Sequence, residues 1–66
     1  MNVEINGEQL TIAENAPLSE ALEKAGIDTK GIAIAVNQKV VKKESYPTHI
    51  LNEGDKVLII KVFYGG

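Results

Sequence analysis

The sequence has no cysteine, no tryptophan and no arginine, and its one histidine is His49. Without cysteine there is no disulfide framework, no thiolate metal site and no redox pair, which suits a reducing compartment. Stability then has to come from burying the Val, Ile and Leu residues that dominate the hydrophobic 44%. One histidine without thiolates cannot build a structural zinc site. Met1-Asn2-Val3-Glu4-Ile5 lacks the basic start and apolar run of a secretory signal, and no stretch approaches the roughly 18 apolar residues that span a bilayer. A soluble, cytoplasmic chain with no membrane partner is expected. Seven basic residues, all lysine, stand against nine acids for a net charge of −2, with neither sign in a long block. Phosphate backbones reward clustered Lys and Arg, so a nucleic-acid partner is not expected.

At 66 residues the chain has room for one domain, 1–66, near the lower limit at which a core holds a fold without staples. Val3 and Ile5 alternate with Asn2 and Glu4, Asn6-Gly7 follows, and Leu10 and Ile12 alternate with Gln9 and Thr11. Asn-Gly suits a type I′ turn, whose two central residues need positive φ, so this segment predicts a hairpin with strands at about 2–6 and 8–13. Leu18, Ala21, Leu22 and Ala25 share one helical face. Pro17 fits the first turn, Asn15 is a possible cap, and Gly26 can take the left-handed conformation that stops a helix.

Ile32 to Val36 is apolar on both faces and predicts a strand central in its sheet. Asn37-Gln38 then turns the chain into a short strand at Val40-Val41. Lys42 to Leu51, with Pro47, reads as irregular. Asn52-Glu53-Gly54-Asp55 reads as a turn whose Gly supplies positive φ and whose acids solvate the bend. Lys56 to Val62 is the longest and most apolar strand. A hairpin, a helix, a central strand, a short strand and a final strand give an α+β fold. One helix packs on one face of a small mixed sheet, the β-grasp arrangement, with first and last strands parallel neighbours.

Few residues offer chemistry. Ser45 and His49 are four apart but lack an orienting third group and a concave site, so His49 reads as a loop residue. Gly26 and Gly31 lack the spacing of a phosphate loop, so any nucleotide pocket must belong to a partner. Glu53 and Asp55 lack calcium-loop spacing. Lys42-Lys43, the only adjacent basic pair, reads as a solvated edge or as a docking patch for an acidic surface. Tyr46, Phe63 and Tyr64 are too few to stack bases.

The end of the chain remains. The final strand runs into Tyr64-Gly65-Gly66, a flexible tail expected at about 64–66. Glycine is about 7% of average usage, so two at a given end is of order 0.5% by chance. Gly-Gly has no Cβ and can take dihedrals closed to other residues, so it can carry a carboxylate through a narrow channel of another protein. A carboxylate is a poor electrophile until its oxygen becomes a leaving group, which adenylation provides.

The chain resembles the ThiS family of sulfur carriers in bacterial thiamine biosynthesis, within the ubiquitin-like β-grasp superfamily. The resemblance is carried by Asn6-Gly7, Ala35-Val36-Asn37-Gln38-Lys39-Val40-Val41, Glu53-Gly54-Asp55-Lys56-Val57 and Gly65-Gly66. The family commonly has a proline-arginine pair and then a tryptophan where this chain has Lys42-Lys43 and Tyr46, departures that bear on partner docking.

The resemblance implies a chain that is not itself an enzyme and binds no cofactor. A ubiquitin-activating-type adenylating enzyme uses MgATP to make the Gly66 acyl-adenylate. Sulfur from a cysteine desulfurase or another donor converts this to a thiocarboxylate, and thiazole synthase receives the sulfur. Gly65 and Gly66 thread the partner sites. Contact is expected through the exposed face of the final strand, with Phe63 and Tyr64 as candidate anchors. Three other readings stay open. The small subunit of molybdopterin synthase shares the tail chemistry, although such proteins usually run longer and often carry prolines before the tail. A ubiquitin-like modifier would join target lysines through Gly66, and a plain interaction module would make the glycines incidental.

Overall fold

The computed structural model describes residues 1–61. β1 (Asn2–Ile5) and β2 (Glu8–Thr11) pair antiparallel with Val3 opposite Leu10. Asn6 and Gly7 join them at φ 49° and 85°, the positive pair that the Asn-Gly turn requires. Both strands are shorter than their sequence pattern: β1 gives way to the turn at Asn6, and beyond Thr11 the pairing ends on Ile12, whose N–H donates to the Met1 carbonyl at 2.8 Å and whose carbonyl accepts from the Met1 amino group at 2.7 Å.

α1 spans Leu18–Lys24. Its C-terminus closes as expected at Gly26, φ 71°. The Gly26 N–H donates to the Glu23 carbonyl and the Ile27 N–H to the Leu22 carbonyl, each at 3.0 Å, which together form a Schellman motif. Three expectations for this helix need correction. Pro17 stands at the N-cap in an extended conformation, φ −74° and ψ 159°, outside the first turn. Asn15 does not cap the helix but sits in a left-handed turn at φ 62°. Ala25 is exposed at the C-cap, so the buried face is Leu18, Ala21 and Leu22, with Ile27 packing below it after the turn.

The helix start is held by tertiary contacts. The Leu18 N–H donates to the His49 carbonyl at 2.7 Å and the Ser19 N–H to the Tyr46 carbonyl at 3.0 Å. The Leu51 N–H donates to the Ala16 carbonyl at 2.9 Å, beside a bridge between Pro17 and Ile50. The segment read as irregular contains a 3₁₀ turn at Lys43–Ser45 and docks on the helix N-terminus.

β3 (Ile32–Val36), β4 (Lys39–Val41) and β5 (Lys56–Lys61) complete a five-stranded sheet of order β2-β1-β5-β3-β4. β1 and β5 run parallel, with Glu4 opposite Lys56 and Ile5 opposite Val57. β3 is interior, flanked by β5 and β4, but the middle position belongs to β5, because the parallel pairing with β1 inserts the last strand between the hairpin and β3. Position 62 of the expected final strand lies outside the described residues. Leu18, Ala21 and Leu22 meet Val3, Ile5, Ile34, Val36, Val41 and Val57 in one core. Leu18 and Leu22 are almost wholly buried, and each such side chain contributes about 1.5–3 kcal/mol. This is the β-grasp arrangement that the element order predicts.

Candidate functional site

The last described strand leads to the residues singled out from the sequence. Phe63, Tyr64, Gly65 and Gly66, and the flexible tail expected at about 64–66, lie outside the described residues. What the structure shows is how the root of that segment is held and what surface surrounds it.

β5 is pinned at its start by a network joining the β3–β4 hairpin turn to the Asn52–Asp55 turn that leads into β5. Asn37 and Gln38 turn β3 into β4 at φ 50° and 72°. The Asn37 side-chain amide donates to Asp55 Oδ1 at 2.9 Å, and Asn37 Oδ1 accepts the Lys56 N–H at 3.0 Å. Asp55 Oδ2 accepts the Asn52 N–H at 2.8 Å. Glu53 Oε2 accepts the Asn2 N–H at 3.0 Å. Gly54 takes φ 82° as expected, but the acids do more than solvate the bend. Asp55 is buried and closes the turn from inside, and Glu53 ties it to β1. Both turns are legible in the sequence but their coupling is not; an Asn in one turn and an Asp in the other are its only mark there.

β5 has two unlike faces. Val57 and Ile59 face the helix, and Lys56, Leu58 and Ile60 face outward. Leu58 is 52% exposed and Ile60 45%. Their cross-strand neighbours are Ala35 and Ala33, and Ala35 is flanked in turn by the exposed Val40. These residues form an apolar strip on the open face of the sheet, beside the strand that leads to Gly65-Gly66. A shallow depression lies at one end, between the Asn6-Gly7 and Asn37-Gln38 turns. On the helix side, α1 stops short of the sheet end and leaves a groove lined by Ile5, Leu10, Ile27, Ile32 and Ile59. The strip was hard to see in sequence because Val57-Leu58-Ile59-Ile60 is apolar at every position, so alternation gives no clue to which face is bare.

The other candidates fall into structural roles. His49 and Ser45 share one turn through the backbone, where the His49 N–H donates to the Ser45 carbonyl at 2.8 Å. Lys42 and Lys43 are exposed where β4 gives way to the 3₁₀ turn. Tyr46 belongs to the core, so its departure from the family's larger ring is a packing change and bears on docking only indirectly. Burial pushes its phenol above the ordinary tyrosine value. Among the described residues no group of three or more His, Asp or Glu is placed to hold a metal ion, and no helix is long and apolar enough to cross a membrane.

The comparisons with known proteins agree on one family. The ThiS family pattern matches residues 2–66. The chain is 32% identical over 66 residues to the sulfur carrier protein ThiS of Escherichia coli (strain K12), covering 100% of both chains. It is also 32% identical over 66 residues to a thiazole synthase of Paramagnetospirillum magneticum, covering 100% of this chain and 20% of that protein. Among solved structures, the thiamine biosynthesis protein ThiS of Geobacter metallireducens superposes with a TM-score of 0.84 at 25% identity, covering 100% of each chain. Sequence and fold converge over the full length, and the chain belongs to the ThiS family.

Proposed function

We propose that this chain carries sulfur for the thiazole ring of thiamine on the carboxylate of Gly66. The observation that carries the reading is the end-to-end alignment with a sulfur carrier of the same length. In the cycle, a ubiquitin-activating-type partner adenylates the Gly66 carboxylate with MgATP. Sulfur originating from cysteine then attacks the acyl carbon and displaces AMP; sulfide leaves the thiocarboxylate directly, a persulfide leaves an acyl disulfide whose S–S bond a second thiol reduces, and thiazole synthase takes the sulfur. The chain is a co-substrate in each step, and the nucleotide pocket belongs to the partner. The reading places the work in the cytoplasm, where MgATP and the sulfur donor are at hand.

The alignment with one fifth of a thiazole synthase supports that enzyme as the acceptor, because a segment like this chain is joined to it in one polypeptide. The relatives' names favour thiamine over molybdopterin as the destination. The exposed Leu58, Ile60 and Val40, set around the half-buried Ala33 and the buried Ala35, support docking by the open face of β5, since exposed apolar clusters mark interaction sites. Phe63 and Tyr64 then serve as anchors next to the tail.

The test is to incubate the full chain with the adenylating partner, MgATP and a sulfur donor, then record the intact mass. The expected result is a gain matching exchange of one oxygen for sulfur at the C-terminus. No gain with a partner that is active on another carrier, or covalent attachment to target lysines instead, would overturn the reading.

A further inference from the structure

β1 ends at Ile5 while β5 runs to Lys61. The half of β5 nearest the C-terminus therefore outlasts its parallel neighbour, whose register stops at Ile5 opposite Val57. One residue extends the pairing. The Asn6 N–H donates to the Val57 carbonyl at 3.0 Å, and Asn6 Oδ1 accepts the Ile59 N–H at 2.8 Å. A side chain thus supplies the ladder bond that a backbone carbonyl would supply if β1 continued. It does so from a left-handed residue, φ 49°, at which the backbone itself is already turning into β2.

We propose that Asn6 is a positioning residue for the C-terminal segment: its amide oxygen clamps the β1-side edge of β5 at Ile59, while the ladder with β3 holds the other edge as far as Lys61, and the two together steady the strand to which the tail is joined. The proposal rests on the reading of Gly66 as the reacting group. Asn6 is exposed, so its side chain adds little to the core, and its measurable effect is on the strand it holds. On the β1 side, no strand among the described residues pairs with β5 past this point. A tail whose root is fixed enters a partner's channel with less freedom to lose than one whose root swings. Only residues that tolerate positive φ and offer a short acceptor suit the position, which restricts it to Asn and Asp.

Two variants separate the acceptor from the turn. Asn6→Gly keeps the left-handed backbone and removes the oxygen, whereas Asn6→Asp keeps both. Asn15→Gly makes the same change at another exposed left-handed asparagine, φ 62°, away from β5. The full chain is assayed with the adenylating partner and MgATP by ATP–pyrophosphate exchange as a function of carrier concentration. Amide hydrogen exchange at Ile59 is read by NMR.

Asn6→Gly should speed exchange at Ile59 about tenfold and raise KM about five- to tenfold with kcat within about twofold. Asn6→Asp should stay within about twofold of the parent in both, and Asn15→Gly should change neither. The proposal is overturned by a normal KM in Asn6→Gly, or by an equal rise in Asn15→Gly, which would mark a general turn effect. If a chain lacking Gly65 and Gly66 supports pyrophosphate exchange as well as the full chain, the Gly66 reading falls and takes the kinetic role of Asn6 with it. A normal KM in Asn6→Gly, with the shortened chain inactive, removes the Asn6 role alone.

Discussion

Asp55 is 9% exposed and accepts hydrogen bonds from the Asn37 side chain and the Asn52 backbone. Removing its carboxylate leaves two donors facing a partly buried space, and each such group costs about 1–3 kcal/mol when unsatisfied. Asp55→Ala should therefore lower the unfolding free energy by about 2–4 kcal/mol, seen as a fall in the urea midpoint with an unchanged slope. Asp55→Asn, which keeps one acceptor oxygen, should cost less than half as much. Tyr46 gives a prediction in pH. It is 6% exposed, and burial raises its phenol pKa above the ordinary value of 10.0. The unfolded chain ionises this group first, so its contribution to stability is complete below pH 10.0 and is lost as pH rises through the higher folded value. Tyr46→Phe should flatten that part of the alkaline fall in the urea midpoint.

At the scale of elements, α1 shows what sequence can and cannot reveal. Its end was legible, because Gly26 is the residue that a Schellman motif needs and Leu22 and Ile27 supply its apolar pair. Its start was not. Its first two donors, the Leu18 and Ser19 N–H groups, are met by the carbonyls of His49 and Tyr46, and a backbone carbonyl leaves no mark on residue identity. The same holds for β3, where a run apolar on both faces predicted the central strand: β3 is interior, but β5 takes the middle. A helix of 7 residues is too short to persist alone, so it depends on the segment that caps it. His49→Ala should change the unfolding free energy by less than about 0.5 kcal/mol, because the carbonyl that caps the helix is retained. Leu51→Ala, which empties a site 1% exposed beneath the same segment, should cost about 2–5 kcal/mol and loosen the helix with it. Thermal unfolding followed by circular dichroism separates the two. Equal losses would show that the imidazole itself holds the segment.

For the whole molecule, the sheet divides the labour between its faces. The helix-side face holds the folding core, and the open face carries Leu58, Ile60 and Val40 at 52%, 45% and 72% exposure. Gly65-Gly66 stands on the sequence alone and lies outside the described residues, while the strip emerged only when the register set Leu58 against Ala35 and Ile60 against Ala33. Folding energetics and partner contact should then be separable by mutation. Leu58→Glu places a charge where the side chain is already half in water, so the unfolding free energy should shift by less than about 0.5 kcal/mol. The same charge would be desolvated against an apolar partner surface, which should weaken association with the proposed adenylating partner at least about tenfold, or about 1.4 kcal/mol. Leu22→Ala, at 2% exposure, should do the reverse, costing about 2–5 kcal/mol of stability while leaving the contact surface of the folded fraction intact. Titration of partner binding by calorimetry, with each variant's urea curve recorded beside it, decides the matter. Normal affinity in a folded Leu58→Glu chain would move docking off the open face of β5 and onto the tail and its immediate surroundings.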